Sequence, residues 1–395
     1  MIARNRSWPT EPDRILVIRN RYIGDTVLAI PFLRNLRRRF PDSVIDVLVE
    51  PGAGQILADC PYKDDLVVWN RPQRVNEVVP GSLPNIVATA RWLREKRYDR
   101  VYILKRSLST GLLAWLAGIP HRVGVAKDGR GLLLTRRVPY HKGRHEVELT
   151  LDLLRADGIE VDDAHNENWV ADEAGEKVDR LLKGLPPARL RVFVAPRSTD
   201  EERNWPLDRM AEVIRWLIED RGCDIVLCGA TADLITHRRL VAALPPLVAH
   251  HLHDFSEACS LREAAALLSR MDLCLGVDSG LPHVAASFGV PVVTLSGAAD
   301  PRQWHPWKTQ SAVVESADGT RSMLGITVGQ VKAATDRLVA EAGILDKARR
   351  RGMRSVDLRS GSYAYQVVES SPPEKPQSRM RLENAKPIPG MAKSA

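Results

Sequence analysis

The feature that most constrains this chain is a pattern that runs, stops and then runs again. Short apolar, β-branched runs alternate with helical periodicities. ILVIR (15–19), IDVLV (45–49), LVV (66–68) and VYIL (101–104) read as strands. Helical patterns extend from about Thr26 to Phe40 and lie near 86–96, 109–117 and 146–156. Runs that are apolar at successive residues belong to strands covered on both faces, the environment of a parallel sheet built from βαβ units. After a polar, acidic stretch at 157–189 the pattern restarts with VFVA (192–195), IVLC (225–228), LCLGV (273–277) and VVTL (292–295). Helices are expected over 207–220, 232–243, 261–269 and 280–288, with a last one near 328–342. The prediction is two doubly wound α/β halves of about 150 residues each, joined near 157–190.

Charge and composition then remove several function classes. The 395 residues carry 57 Lys and Arg against 49 Asp and Glu, a net charge of +8. From Asp346 to Ala395 there are eleven basic residues against five acidic ones, so only about +2 remains for residues 1–345. The basic excess is thus concentrated in the tail, and no nucleic-acid partner is expected, since that requires basic residues gathered on a structured face. The tail also has five Pro between 372 and 389 and is expected to be disordered, for want of apolar surface to bury. No stretch approaches the roughly 18 apolar residues of a membrane-spanning helix. The N-terminus, MIARNRSWPTEPDR, lacks the apolar segment of a secretory signal, so the expected location is cytoplasmic. The five Cys include no C-x-x-C pair, and Cys228 and Cys274 lie in apolar runs, so they are expected as buried small hydrophobes rather than metal ligands or a disulfide framework.

Doubly wound domains bind ligands beyond the carboxyl ends of their strands. The loop after the first strand, RNRYIGDTVLAIPFLR, has a single glycine, Gly24, where a dinucleotide fold needs G-x-G-x-x-G. No P-loop exists either, so neither a nicotinamide cofactor nor an NTPase is expected. Asp25 in this loop has two readings, a helix N-cap accepting first-turn amides or a carboxylate presented as a general base. Downstream, Arg34, Arg37, Arg38 and Arg39 form a basic helix face, either solvated or held against an anionic membrane surface. In the second half, VFVAPRSTDEERNWP places Thr199 and Arg203 in a loop suited to a phosphate. LCGATADL places Asp233 in a first helical turn, where it accepts either ribose hydroxyls or the helix dipole. In VDSGLPHVAASFG a buried strand ends at Asp278, and Ser279 and Gly280 open a helix whose free amides suit a diphosphate. His283, one turn in, is either a packing residue or a ligand contact.

RILVIRNRYIGDTVLAIPFLRNLRRRFP resembles the opening of glycosyltransferase family 9, the lipopolysaccharide heptosyltransferases: a strand, a loop ending in Gly-Asp, and a helix with an early Pro. VDSGLPHVAASFGVPVVTLSGAADPRQWHPW is similar to that family's most diagnostic segment, and STDEERNWP and GITVGQVKAATDRL match in order. The resemblance covers about residues 13–342. It implies a GT-B fold of two Rossmann-like domains, an acceptor domain over 14–170 and a nucleotide-sugar donor domain over 171–345, with an extension at 1–13 and the tail at 346–395. It further implies an inverting, metal-independent transfer of heptose from ADP-heptose to a lipid-linked saccharide, the lipopolysaccharide inner core, without a cofactor. By position, Asp25 resembles the general base, and Arg21 beside it an acceptor contact. Arg203 stands where the family has a phosphate-binding Lys, Thr199 at a nearby hydroxyl contact and Asp233 at the acidic ribose contact. Asp278, Ser279, Gly280 and His283 match the diphosphate-binding turn. Departures are Arg203 for Lys, Ala298-Ala299 for the usual Pro-Thr before Asp300, and Pro282 for a common Ser. The basic tail has no family counterpart.

Two other readings remain open at this level. The chain could use another nucleotide sugar in O-antigen or exopolysaccharide synthesis, or bind a sugar nucleotide without turnover. Retention of both Asp25 and the Asp278–His283 group speaks against the second.

Overall fold

The computed structural model describes residues 11–19, 22–69, 82–127, 129–186 and 189–346. Arg21 and the tail beyond Asp346 lie outside the described residues. The chain divides into two compact units, one through His165 and one from Asn166. The first unit contains β1 (Arg14–Ile18), β2 (Val44–Val49), β3 (Asp65–Val68), β4 (Arg100–Ile103), β5 (His121–Val125) and β6 (Arg136–Val138). They form one parallel sheet in the order β3-β2-β1-β4-β5-β6. The second contains β7 (Leu190–Ala195), β8 (Cys223–Leu227), β9 (Leu252–Asp254), β10 (Leu273–Val277), β11 (Val292–Ser296) and β12 (Ser311–Glu315). Their order, β12-β11-β10-β7-β8-β9, is the same winding, again all parallel. In each sheet the chain winds outward from the first strand, returns and winds the other way. The topological switch points therefore lie between β1 and β4 and between β7 and β10, where ligands gather in such folds.

The predicted strands are β1 to β4, β7, β8, β10 and β11, all but β3 inside their sheets. Ile15, Leu16, Val17 and Ile18 are wholly buried, as are Leu275 and Val277, consistent with sheets covered on both faces. Four strands were not foreseen: β5, β6, β9 and β12. HRVGV, RRV, LHD and SAVVE are short and mix polar with apolar residues. Three of them are edge strands, which can keep polar side chains in water. His121 at the start of β5 is buried, and its Nε2 lies 2.7 Å from Asp157 Oδ1 at the end of helix Glu146–Ala156. Tyr102 donates to the same carboxylate at 2.7 Å and Arg100 pairs with it at 3.2 Å. Burial alone would raise the Asp157 pKa, but His121, Tyr102 and Arg100 together hold it below the usual value. This cluster locks the amino ends of β4 and β5 to the helix that follows them.

The helix expected from Thr26 to Phe40 is two helices, Ile23–Val27 and Ile30–Arg39. Pro31, lacking an N–H, fits only the first turn of a helix, so the second one must start there. The basic face of Ile30–Arg39 is occupied by the chain itself. Arg34 donates to the His165 carbonyl at 2.7 Å and pairs with Asp163 at 3.0 Å. Arg37 donates to the carbonyls of Pro41 and Ser43, Arg38 pairs with Asp162 at 2.9 Å, and Arg39 with Glu11 at 2.8 Å. Asn35 donates to the Asp163 carbonyl at 2.6 Å. Residues 162–165 are thus strapped to the first unit by this helix. The arginines that a membrane surface would need are already partnered. No helix among the described residues is long and apolar enough to cross a membrane. Cys228 and Cys274 are buried, as their apolar runs predicted.

Candidate active site

In the first unit the switch point is built around a buried arginine. Arg19 directly follows β1 and is 2% exposed. Its Nε donates to the main-chain oxygen of Asp25 at 2.8 Å, and its Nη1 to the Leu104 carbonyl just beyond β4 at 3.3 Å. Its Nη2 donates to Glu146 Oε1 at 3.1 Å and lies 3.5 Å from Asp25 Oδ1. Glu146 is wholly buried and also receives Arg106, at 3.0 Å on Oε1 and 2.9 Å on Oε2. One carboxylate thus orients two guanidinium groups, and one of these fixes the backbone that carries Asp25.

Asp25 is the third residue of helix Ile23–Val27, not its N-cap. The N-cap position is Tyr22, in a strained conformation at φ 63°, ψ 126°, and no side chain caps the helix. No described group donates a hydrogen bond to the Asp25 carboxylate, whose side chain is 13% exposed. The capping explanation for this residue therefore fails. Burial raises its pKa above the ordinary carboxylate value; Arg19 opposes that rise, the Glu146 charge adds to it, and Lys105 and Arg106 oppose it more weakly. A carboxylate held in a dry site, unspent on hydrogen bonds and with an elevated proton affinity, is what a general base requires.

In the second unit Arg203 and Asp278 join the loops after β7 and β10. Arg203 Nη1 donates to Asp278 Oδ2 at 3.1 Å, and Asp200 lies 3.4 Å from its Nε. The loop is held from outside. Ser198 donates its N–H to Asn204 at 2.7 Å, and Trp205 and Arg209 donate to the Ile326 carbonyl at 3.1 and 2.8 Å. Ile326 belongs to the GIT segment, which gives that segment a structural reason. Asp278 is buried, and His283 Nε2 stands 3.7 Å from its Oδ1. His283 Nδ1 is buried without a hydrogen-bond partner. Ser279 is the N-cap of helix Gly280–Ser287 and makes no side-chain cap bond, so its hydroxyl leaves the first-turn amides uncapped among the described residues. Arg203, Asp278, Ser279, Gly280 and His283 are brought together at the β7–β10 switch point.

Among the described residues, Asp233 and Thr199 make no hydrogen bond or ion pair with that group. Asp233 Oδ2 accepts the Ala230 N–H at 2.9 Å and its Oδ1 pairs with Arg197 at 3.2 Å. It packs so closely on Gly229 that a Cβ there would lie 2.6 Å from its carboxylate, which is why the position is glycine. In this state Asp233 performs the local helix-end role that competed with the ribose reading. Thr199 is exposed and makes no hydrogen bond among the described residues. Arg21 lies outside the described residues.

Sequence reasoning missed Arg19 and Glu146. Arg19 had one usable signal, a charged residue closing an apolar strand directly ahead of a site loop. Glu146 had none, because RHEVELTLDLL reads as an acid complementing a helix N-terminus. Its partners are 127 and 40 residues away in the sequence.

The comparisons with known proteins agree with this architecture. The lipopolysaccharide heptosyltransferase 2 of Escherichia coli strain K12 is 27% identical over 332 residues, covering 78% of this chain and 89% of that protein. The solved E. coli ADP-heptose lipopolysaccharide heptosyltransferase II superposes with a TM-score of 0.70 at 25% identity, over 84% of this chain and 99% of that one. A family 9 glycosyltransferase structure from Veillonella parvula gives a TM-score of 0.72 at 24% identity, over 84% and 98%. The fold is thus GT-B, with two Rossmann-like units. The family model described as glycosyltransferase family 9 (heptosyltransferase) matches residues 86–325, more than half of the chain, and with both switch points furnished as above the chain belongs to that family of glycosyltransferases.

Proposed function

We propose that the chain transfers heptose from ADP-heptose to a lipid-linked saccharide of the lipopolysaccharide inner core, on the cytoplasmic side of the membrane, with inversion at the anomeric carbon. The first unit takes the acceptor, with Arg21 among its contacts, and the second takes the donor. The Asp25 carboxylate accepts the proton of the acceptor hydroxyl as that oxygen attacks the anomeric carbon. The bond to the diphosphate breaks, and ADP leaves with the electron pair. Negative charge then accumulates on the departing phosphate, where Arg203 and the first-turn amides of helix Gly280–Ser287 supply countercharge without a metal. His283 stands beside them, and Thr199 and Asp233 reach the donor's phosphate and ribose once it binds, which requires Asp233 to exchange one of its present partners. The observation that carries the reading is Asp25, oriented by the Arg19–Glu146 pair yet with its carboxylate unbonded. The relatives named for heptose transfer support the choice of sugar and acceptor.

Thermal unfolding with a panel of nucleotides and nucleotide sugars tests the donor. A ligand that binds only the native state stabilises by about 2.7 kcal/mol at a hundredfold excess over its Kd. ADP and ADP-heptose are expected to raise the unfolding midpoint, and release of ADP on adding lipopolysaccharide core acceptor completes the test. Protection by UDP- or GDP-sugars alone would favour the O-antigen or exopolysaccharide alternative. Protection without turnover would favour a binding protein.

A further inference from the structure

We infer that the exposed face of helix Leu108–Leu116, with the adjoining turn Arg130–Leu133, is a docking surface for an anionic lipid bilayer. The helix buries Thr110, Gly111, Leu113 and Ala114 against its own unit. Leu108, Leu112 and Trp115 recur on another face at helical spacing. Leu108 is 59% exposed and Trp115 51%, with Leu112 half-buried between them. The turn packs on this helix through Leu133, whose Cδ1 would lie 3.3 Å from a Cβ at Gly111. Its neighbour Leu132 is 82% exposed. Adjacent apolar side chains left in water mark an interaction surface rather than a free one.

Charge identifies the occupant. Residues 105–145 carry nine Lys and Arg against one acidic residue, Asp128, a local excess equal to the net +8 of the whole chain. Several of these cations are spent internally: Arg106 on Glu146, Arg144 on Glu148 and Asp152, and Arg122 on backbone carbonyls. Arg137 and Lys142 are exposed and have no ion-pair partner among the described residues. A second copy of this face would bring the same positive charge, and so would the basic tail. A polyanion such as nucleic acid would satisfy the cations but not the leucines and the tryptophan. An anionic bilayer satisfies both, taking apolar side chains at the headgroup boundary and cations at the phosphates. The helix begins just beyond the carboxyl end of β4, where the Leu104 carbonyl holds Arg19. A bilayer at this face would bring a lipid-linked acceptor to the edge that carries Asp25. The inference depends on the proposed acceptor for its purpose only, not for its evidence.

The test is co-sedimentation of the full chain with phosphatidylcholine vesicles, with and without phosphatidylglycerol. The wild type is expected to bind only the anionic vesicles, with binding that weakens steeply as salt rises. The double variant W115S/L132S is expected to bind at least about tenfold more weakly, since it removes two of the apolar side chains that would enter the headgroup boundary. R137Q/K142Q should lose about fivefold per charge. L247S serves as the control, because Leu247 is 88% exposed in the second unit but has no Lys or Arg between Val241 and Phe255; it should bind like the wild type. All four proteins should keep their unfolding midpoints and their protection by ADP, which separates failure here from failure of the proposed reaction. Vesicle binding that W115S/L132S leaves unchanged would overturn the assignment and move the binding to the tail. Loss of a dimer in that variant without any loss of vesicle binding would likewise overturn it, in favour of an interface between copies.

Discussion

The two units share one winding and place charged residues at the same topological point, yet they use those charges in opposite ways. At the β1–β4 switch the ion pairs are interior. Arg19 and Glu146 are almost wholly buried, and the carboxylate of Asp25 is held close to them without a hydrogen bond. At the β7–β10 switch the pair is at the rim, with Arg203 about one-third exposed over a buried Asp278. A buried pair whose partners satisfy each other fixes geometry, because losing one partner strands the other charge in a low dielectric. A rim cation is cheaper to hold and can turn to an incoming anion. The same scaffold thus carries a rigidly held carboxylate on one unit and a more adaptable guanidinium on the other, which under the proposed reaction are the base and the anion contact.

The comparison can be broken in several places. The largest expected effect is on turnover in Asp25→Asn, where loss of a general base should slow the reaction by about 10²–10⁴-fold, or about 3–5 kcal/mol of barrier. ADP protection should persist, because the proposed donor contacts are on the other unit. The stability of this variant carries a sign. A carboxyl whose pKa is raised by folding contributes stability fully below its unfolded pKa and loses that contribution as pH rises through the folded value. Ionised Asp25 therefore costs stability at neutral pH, so Asp25→Asn should raise the unfolding midpoint there and lose that advantage in acid. A lowered midpoint at neutral pH would mean that attraction to Arg19 outweighs the burial of the Asp25 carboxylate.

Glu146→Ala comes next. It strands Arg19 and Arg106, and chemical denaturation should show a loss of about 3–5 kcal/mol. An unchanged midpoint would mean that water or other groups replace the carboxylate and that this switch point is not rigid. Arg203→Ala should behave differently, with ADP protection weakened by roughly 10–100-fold, since hydrogen bonds to charged groups contribute about 1.5–3 kcal/mol. Its stability should fall by less, about 1–3 kcal/mol, the cost of leaving Asp278 short of one partner beside an exposed rim. Equal stability losses in Glu146→Ala and Arg203→Ala would erase the contrast between interior and rim.

Two smaller effects sharpen it. The acid limb of the kcat/KM profile should lie above the ordinary aspartate value of 3.8, because burial holds the Asp25 proton more tightly. A limb at or below that value would mean that Arg19 outweighs burial in the working enzyme. Thr199→Ala should be the mildest change. The residue is exposed and unbonded, so stability should stay within about 0.5 kcal/mol, and any effect should appear only in donor affinity.

Much of this molecule is a local property of its sequence. The doubled alternation of apolar runs and helices arises from residues within one element, so it determined the two α/β units and the order of their central strands along the chain. For the same reason Asp25, Arg203, Asp278 and His283 were legible, since each follows a strand by a few residues and strand ends are where this architecture collects chemistry. Pro31 was equally legible, yet its consequence, a helix break that leaves Asp25 inside a short first helix, was not drawn from it. What only the tertiary structure decided depends on partners distant in sequence. The short strands β6, β9 and β12 become strands because a neighbour offers them a free edge, not because of their own composition. Asp233 had two readings of equal local merit; Ala230 and Arg197 hold its carboxylate in the local one here, and the ribose contact stays a proposal. Arg34 to Arg39 seemed a free basic surface, yet residues 162–165, Glu11 and nearby carbonyls partner them, with Arg38 and Arg39 still exposed. Glu146 is the clearest case. Nothing within ten residues distinguishes it from any acid at a helix start, and only burial between Arg19 and Arg106 makes it the residue that orients the site. Periodicity and strand ends can be read along the chain because they depend on neighbours in sequence. The pairing of buried charges cannot, because the desolvation that forces two charges together exists only once the chain has folded.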